Sequence, residues 1–242
     1  MADRHQRGFS LVEMAMVLVI LGLMIGGFLG PLTETMEAQR IRQAKREMAE
    51  AKEAILGFMI KNQRFPCPAD PTVAESDATS GTEKTPSATG CARTEGALPW
   101  KDLGLKQLDP WGRRYSYAVA PRLAATSFSS TGSVCAAPVP SSGASFNWCS
   151  PTTIQIKTSS STADVAPNVA AVVISHGKNG LGGYDQGGTQ ISGATNDELE
   201  NADNDTVFIQ TQFDPNRPYD DLVEWISPAV TFNRMVQAQL LP

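Results

Sequence analysis

Arg7-Gly8-Phe9-Ser10-Leu11-Val12-Glu13 leaves a basic leader at a glycine and enters an apolar run that holds one carboxylate. Met14 to Thr33 follow, twenty residues without a charged side chain. As a helix, twenty residues span about 30 Å, the thickness of a bilayer's hydrocarbon core. A secretory signal peptide has a shorter apolar region, about 7–15 residues, followed by a small-x-small cleavage site. Here the run is longer, no A-x-A follows it, and Glu13 interrupts its start. A plain signal anchor accounts for the length and for Arg4 and Arg7 in the leader. It leaves Glu13 unexplained, since an ionised carboxylate in lipid costs on the order of a few kcal/mol and usually marks a function.

These residues resemble the N-terminus of type IV pilins and type II secretion pseudopilins. That signature is a short basic leader ending in Gly, then Phe-Ser/Thr-Leu-x-Glu, then an apolar run. Gly8, Phe9, Leu11 and Glu13 match it, and Leu18, Val19, Ile20 and Leu21 continue in kind. The resemblance implies that a prepilin peptidase cuts between Gly8 and Phe9 and methylates the new amine of Phe9. It implies an inner-membrane assembly platform, membrane lipid and other pilin or pseudopilin subunits as partners. Glu13 would then pair with the Phe9 amine of a neighbouring subunit and set its axial register. Gly22, Gly26, Gly27, Gly30 and Pro31 lie in the second half of the run. They leave two readings open, local melting of the helix or close packing between helices.

From Glu34 to Lys61 the sequence turns charged. Ala44, Met48, Ala51, Ile55 and Phe58 recur at 4-3-4-3 spacing, the stripe of one amphipathic helix. Charges of both signs cover its other faces, which reads as a solvated surface. Phe65-Pro66-Cys67-Pro68 ends the helix. The expected organisation is a leader over 1–8, a transmembrane or filament-core helix over 9–33, an amphipathic continuation over 34–62, and a head over 63–242.

Net charge is −5; the leader contributes +1, so the chain beyond Gly8 carries −6. That balance argues against nucleic acid as the main partner. Cys67, Cys91, Cys135 and Cys149 have no CxxC or zinc-type spacing. All follow the hydrophobic segment, which places them in an oxidising compartment as disulfides. Cys67–Cys91 and Cys135–Cys149 are the favoured pairs, because each closes a Ser/Thr/Gly-rich loop; buried free thiols are the alternative.

Asp70 to Glu95 reads as a long surface loop. Asp109-Pro110-Trp111-Gly112-Arg113-Arg114-Tyr115-Ser116-Tyr117 reads as a turn followed by a strand. It resembles the D-P-W-G turn-and-strand motif of the major pseudopilin, in which Trp111 would plug the core. Thr153–Lys157, Val169–Ser175 and Thr206–Gln212 are further strand candidates, with Thr158–Pro167 as a polar linker. Ser227-Pro228 is a helix start, with Val230, Met235, Val236 and Leu240 as its apolar face. The fold class is therefore α+β: a long N-terminal helix packed on a small antiparallel sheet, pilin-like.

His176 to Gly183 is Gly-rich but lacks P-loop spacing and reads as a turn. A Ser-His-Asp site at His176 has no G-x-S-x-G elbow to support it, so no enzymatic activity is expected. Asp197, Glu198, Glu200, Asp203 and Asp205 place five carboxylates in nine residues. The major pseudopilin carries calcium in a corresponding loop, and the resemblance makes Asp197, Asp203 and Asp205 the first ligands to consider. A solvated acidic loop is the simpler reading, and no other cofactor is implied.

The resulting expectation is a structural subunit, single-pass in the inner membrane with its head in the periplasm. It would assemble through its N-terminal helix into a type IV pilus or a type II pseudopilus, with the cell surface as the pilus destination. A minor tip subunit for adhesion or DNA uptake is the alternative, separable by stoichiometry. A periplasmic protein on a plain anchor is the third reading.

Overall fold

The computed structural model describes residues 10–126, 152–211 and 219–240, with the side chains of 25–32 left undescribed. Gly8, Phe9 and the pairing of Cys135 with Cys149 lie outside the described residues. The chain divides into two compact units, Met1–Arg42 and Gln43–Pro242. The fold is α+β.

Helix α1 runs from Leu11 to Asn62, 52 residues. From Leu11 to Met24 its apolar side chains are uncovered on every face. Eleven large ones between Leu11 and Met24 are exposed, Leu11 at 87% and Leu23 at 72%. Among the described residues, no helix is long and apolar enough to cross a membrane; the described side chains of this apolar run stop at Met24.

In the second unit α1 buries one stripe: Ala44, Met48, Ala51, Ile55, Leu56 and Met59. The stripe continues to Met59 and not to the expected Phe58. Phe58 is half-buried and lies under the Arg64 guanidinium, 5.3 Å from its ring centre. Gln63 takes a left-handed φ of 58° just past the helix end. Pro66 and Pro68 prevent the helix from resuming.

The head differs from the single antiparallel sheet the sequence suggests. Between Cys67 and Cys91 the chain forms a two-stranded ribbon, β1 (Pro86–Ser87) and β2 (Gly90–Cys91). Cys67 and Cys91 are bridged, with Cα atoms 5.4 Å apart. In the loop-entropy model a bridge across 24 residues contributes about 3.5 kcal/mol.

Strand β3 (Glu95–Ala97) follows, then the short helix α2 (Trp100–Leu103) and β4 (Ser116–Val119). After β5 (Ile154–Lys157) come β6 (Asp164–Val169) and β7 (Ala171–Ser175). Helix α3 (Asp197–Glu200), β8 (Val207–Ile209), β9 (Leu222–Ile226) and α4 (Pro228–Gln237) complete the order. One sheet is antiparallel, β3-β4-β7-β9. A second is β6-β5-β8, and its β5–β8 pair is parallel. The polar linker expected over Thr158–Pro167 is in part β6, an edge strand that contains Pro167 and pairs with β5 through register shifts. At the outer strand β9, the Gln210 side-chain amide donates to the Val223 carbonyl at 3.1 Å.

Central strands β4 and β7 are buried along their whole length, which explains their apolar runs. The α1 stripe shares one core with Tyr115, Tyr117, Val119 and Val173. Polar contacts also tie the helix to the head, and Lys106 meets Glu47 at 2.7 Å. Tyr115 donates to Glu47 at 2.8 Å, Lys52 meets Glu224 at 2.7 Å, and Arg234 meets Glu53 at 3.0 Å. Trp111 is half-buried and stands outside the core cluster, so it is not the expected plug. Trp100, 6% exposed, packs with Ala69 and Ala97 instead.

Helix α4 starts as expected, the Ser227 hydroxyl accepting from the Val230 N–H at 3.2 Å. Its buried face is Thr231, Phe232 and Met235, while Val230 and Val236 are exposed. Phe232 is the largest apolar side chain of α4; once it points inward, Val230 and Val236 turn out.

Candidate functional sites

At the start of α1, Ser10 and Glu13 bond reciprocally. The Ser10 N–H donates to Glu13 Oε2 at 2.8 Å, and the Glu13 N–H donates to Ser10 Oγ at 3.3 Å. This is a capping box, which satisfies donors that a helix start leaves open. Glu13 therefore has a local task within its own chain. The surrounding side chains are exposed apolar groups, so the carboxylate is set in an uncovered hydrophobic stripe.

The Asp109–Gly112 turn is built by one carboxylate. Asp109 Oδ1 accepts from the N–H groups of Trp111 at 3.0 Å and Arg113 at 2.9 Å, and Oδ2 accepts from the Ser175 hydroxyl at 2.6 Å. Gly112 closes the turn at φ 83°. The turn delivers Arg114, which is 1% exposed. Its guanidinium donates to the carbonyls of Pro71 at 2.8 Å, Val73 at 2.7 Å and Gln186 at 2.7 Å, and lies 5.1 Å from the Trp100 ring centre. Arg114 thus clamps two loops far apart in sequence. A second Arg after D-P-W-G gave no hint of this.

Beyond β7 the chain gathers acids. His176 follows β7, and Gly177 takes φ 56° where a Cβ would meet the Asp220 carbonyl at 2.4 Å. That close approach requires glycine. The Asn179 side chain donates to Glu198 at 2.7 Å and its N–H to Asp220 at 2.9 Å. Asn201 donates to Asp221 at 2.8 Å. One oxygen each from Glu198, Asp220 and Asp221 lies within 4.8 Å of the others. Glu198 is 1% exposed and Asp221 4%. Glu198 Oε2 and Asp221 Oδ1 are buried with no hydrogen-bond partner among the described residues. Burial, then the neighbouring acids, push the Asp221 carboxyl well above the usual range. These orphaned oxygens fit a hard divalent cation, which pairs with carboxylates and needs no nitrogen donor.

An outer cluster lies at the far end of α3. One oxygen each from Glu200, Asp203 and Asp205 lies within 4.8 Å of the others. Of the expected calcium ligands, Asp203 and Asp205 are thus together, while Asp197 is outside both groups. Buried Glu95 backs this cluster. Burial, then Asp203 and Asp205, push its carboxyl up to about 8. Asp220 and Asp221 escaped the sequence reading because their partners come from two other stretches of chain, His176 to Asn179 and Glu198 to Asn201.

Ser116, His176 and Asp221 stand in the order of a hydrolytic triad. Ser116 Oγ lies 2.8 Å from His176 Nε2, and His176 Nδ1 lies 3.7 Å from Asp221. The second distance exceeds a hydrogen bond. Burial lowers His176 to about 4, so at neutral pH it is uncharged and forms no ion pair. Ser116 is 7% exposed and His176 is fully buried. The trio offers no accessible nucleophile and serves as a polar core contact.

Residues 3–29 match the family model described as the prokaryotic N-terminal methylation motif, the signature of type IV pilins and pseudopilins. The match does not reach Asp109–Tyr117. No curated protein and no solved structure matches the chain.

Proposed function

We propose that the chain is a structural, non-enzymatic pilin-like subunit. It is inserted in the inner membrane through residues 9–33 with its head in the periplasm. Prepilin peptidase trims it between Gly8 and Phe9 and methylates Phe9. Its N-terminal helix then packs with those of other subunits, on an inner-membrane assembly platform, into a type IV pilus or a type II pseudopilus. One conjunction carries this reading. The methylation signature over 3–29 coincides with a helix whose eleven large apolar side chains from Leu11 to Met24 are uncovered. Burying each gains about 1.5–3 kcal/mol, so this helix requires lipid or copies of itself around it.

Mass spectrometry of the mature N-terminus tests the reading. The expected product begins at Phe9 and carries one added methyl group. A mature chain that retains Met1–Gly8, or an unmethylated Phe9, would sink it.

The head also holds a divalent cation in this proposal, at Glu198, Asp220 and Asp221. Bound there, calcium would supply the charge that lets the three acids stay ionised together. Saturating calcium is expected to raise the melting temperature by about 8 °C. Asp221→Asn should abolish that rise, and an undiminished rise would refute the assignment.

A further inference from the structure

We propose that a second copy of this chain seats its Arg46 against Glu50, on the rim of a cleft between α1 and the segment joining β3 to β4, and that this contact sets the stagger of neighbouring subunits. The inference rests on the filament reading above and adds to it a contact outside the apolar run.

The cleft holds about 230 Å³. Glu47, Glu50 and Ala51 of α1 line one side, and Leu98, Leu105 and Tyr115 line the other. Lys106 also lines it, so two acids against one lysine leave it at −1. Glu47 is satisfied by its own head. Lys106 meets it at 2.7 Å, the Tyr115 hydroxyl donates to it at 2.8 Å, and the Gln43 amide donates at 3.0 Å. Burial opposes its charge, and these bonds still hold its carboxyl below the usual range. Glu50 is exposed, and among the described residues no hydrogen bond or ion pair reaches its carboxylate. Apolar walls with an open carboxylate at the rim suit a cation on an aliphatic stem, whose methylenes cover the walls while its head meets the acid.

The same helix offers that cation. Lys52 and Glu53 are engaged with Glu224 and Arg234 of the head. Arg46 is exposed and has no partner among the described residues. It lies four residues before Glu50 and does not pair with it within the chain. In two parallel copies displaced by four residues, about 6 Å, Arg46 of one stands level with Glu50 of the other. Phe9 and Glu13 are also four residues apart. The displacement that would bring Glu13 to a neighbour's Phe9 would therefore bring Glu50 to that neighbour's Arg46. Arg46 stands about 100° round the helix from Glu47, so the donor and the cleft are different surfaces. A contact between unlike surfaces of identical chains is heterologous, and it can repeat without closing, as a filament requires. That selects a second copy as the occupant.

Filament yield in sheared fractions tests this on the full chain, read beside precursor cleavage and melting temperature. Glu50→Arg and Arg46→Glu are each expected to lower yield at least about fivefold. Cleavage should be unchanged and the melting temperature should stay within about 2 °C, because both side chains are exposed. The double variant should return to within about twofold of wild type. So should a cell that makes the two single variants together, since each supplies the charge that the other's surface lacks. A pairing of Arg46 with Glu50 inside one helix would leave that mixture defective. Wild-type yield from either single variant, or no recovery in the mixture, overturns this contact and leaves the filament reading standing. A wild type that enters no filament overturns both.

Discussion

Glu13→Leu is expected to leave cleavage after Gly8 intact and to lower filament incorporation by about tenfold or more. The capping box makes the control set informative. Glu13 and Ser10 cap each other, and losing a cap costs about 1 kcal/mol. If capping were the whole task, Ser10→Ala would be as harmful as Glu13→Leu. Glu13→Gln, which keeps an acceptor at the same place, would be nearly harmless. If the carboxylate pairs with a neighbour's Phe9 amine, the order changes. Glu13→Gln then fails like Glu13→Leu, because an amide cannot neutralise an ammonium in an apolar surround, and Ser10→Ala assembles within about twofold of wild type. Filament yield in sheared fractions, read beside the fraction of cleaved precursor, separates the two. Normal yield from Glu13→Gln would end the pairing idea.

Arg114→Met is expected to be the most damaging single change in the head, at about 3–5 kcal/mol. Three carbonyls, those of Pro71, Val73 and Gln186, lose their donor in one step. The site is too buried for water to replace the donor freely; Arg114 is 1% exposed. The Trp100 face also loses its cation. Arg114→Lys should recover little, because one ammonium cannot reproduce the fork that spans two loops. Urea unfolding followed by tryptophan fluorescence would measure this. A loss below about 1 kcal/mol would mean that the clamp is ornamental.

What the sequence disclosed follows the range over which each signal acts. The long helix and the start of α4 were legible because periodicity and Ser227-Pro228 are local cues. The apolar run of β7 was legible because a strand covered on both faces has no alternation to disguise it. β6 was hidden by Pro167 and by its polar residues, which mark an irregular edge as readily as a linker. β3 was hidden because its centre is Gly96, whose Cβ would strike the Ala69 carbonyl at 2.4 Å. The exchange of Phe58 for Met59 is one helical step, below what spacing can resolve. Of the acids, the outer group was visible as a dense run. The inner one was not, since Asp220 and Asp221 join Glu198 only through tertiary folding. Arg114 looked like an ordinary strand-entry residue, and only its surroundings reveal the clamp.

The sheet margins carry a consequence for crowding. Subunits in a filament hold their heads at very high local concentration, and an open strand edge there would recruit the next head by strand addition. Each margin of the two main sheets has its own stopper. β6 lacks a donor at Pro167 and pairs irregularly, while the Gln210 side chain occupies the Val223 carbonyl of β9. β3 and β8 are three residues each and largely buried. Among the described residues, the edges of the two main sheets are therefore poor templates for strand addition. In the filament proposed above, polymer growth would fall to the uncovered helix, with an ordered fibre and not an amyloid-like aggregate as the expected product.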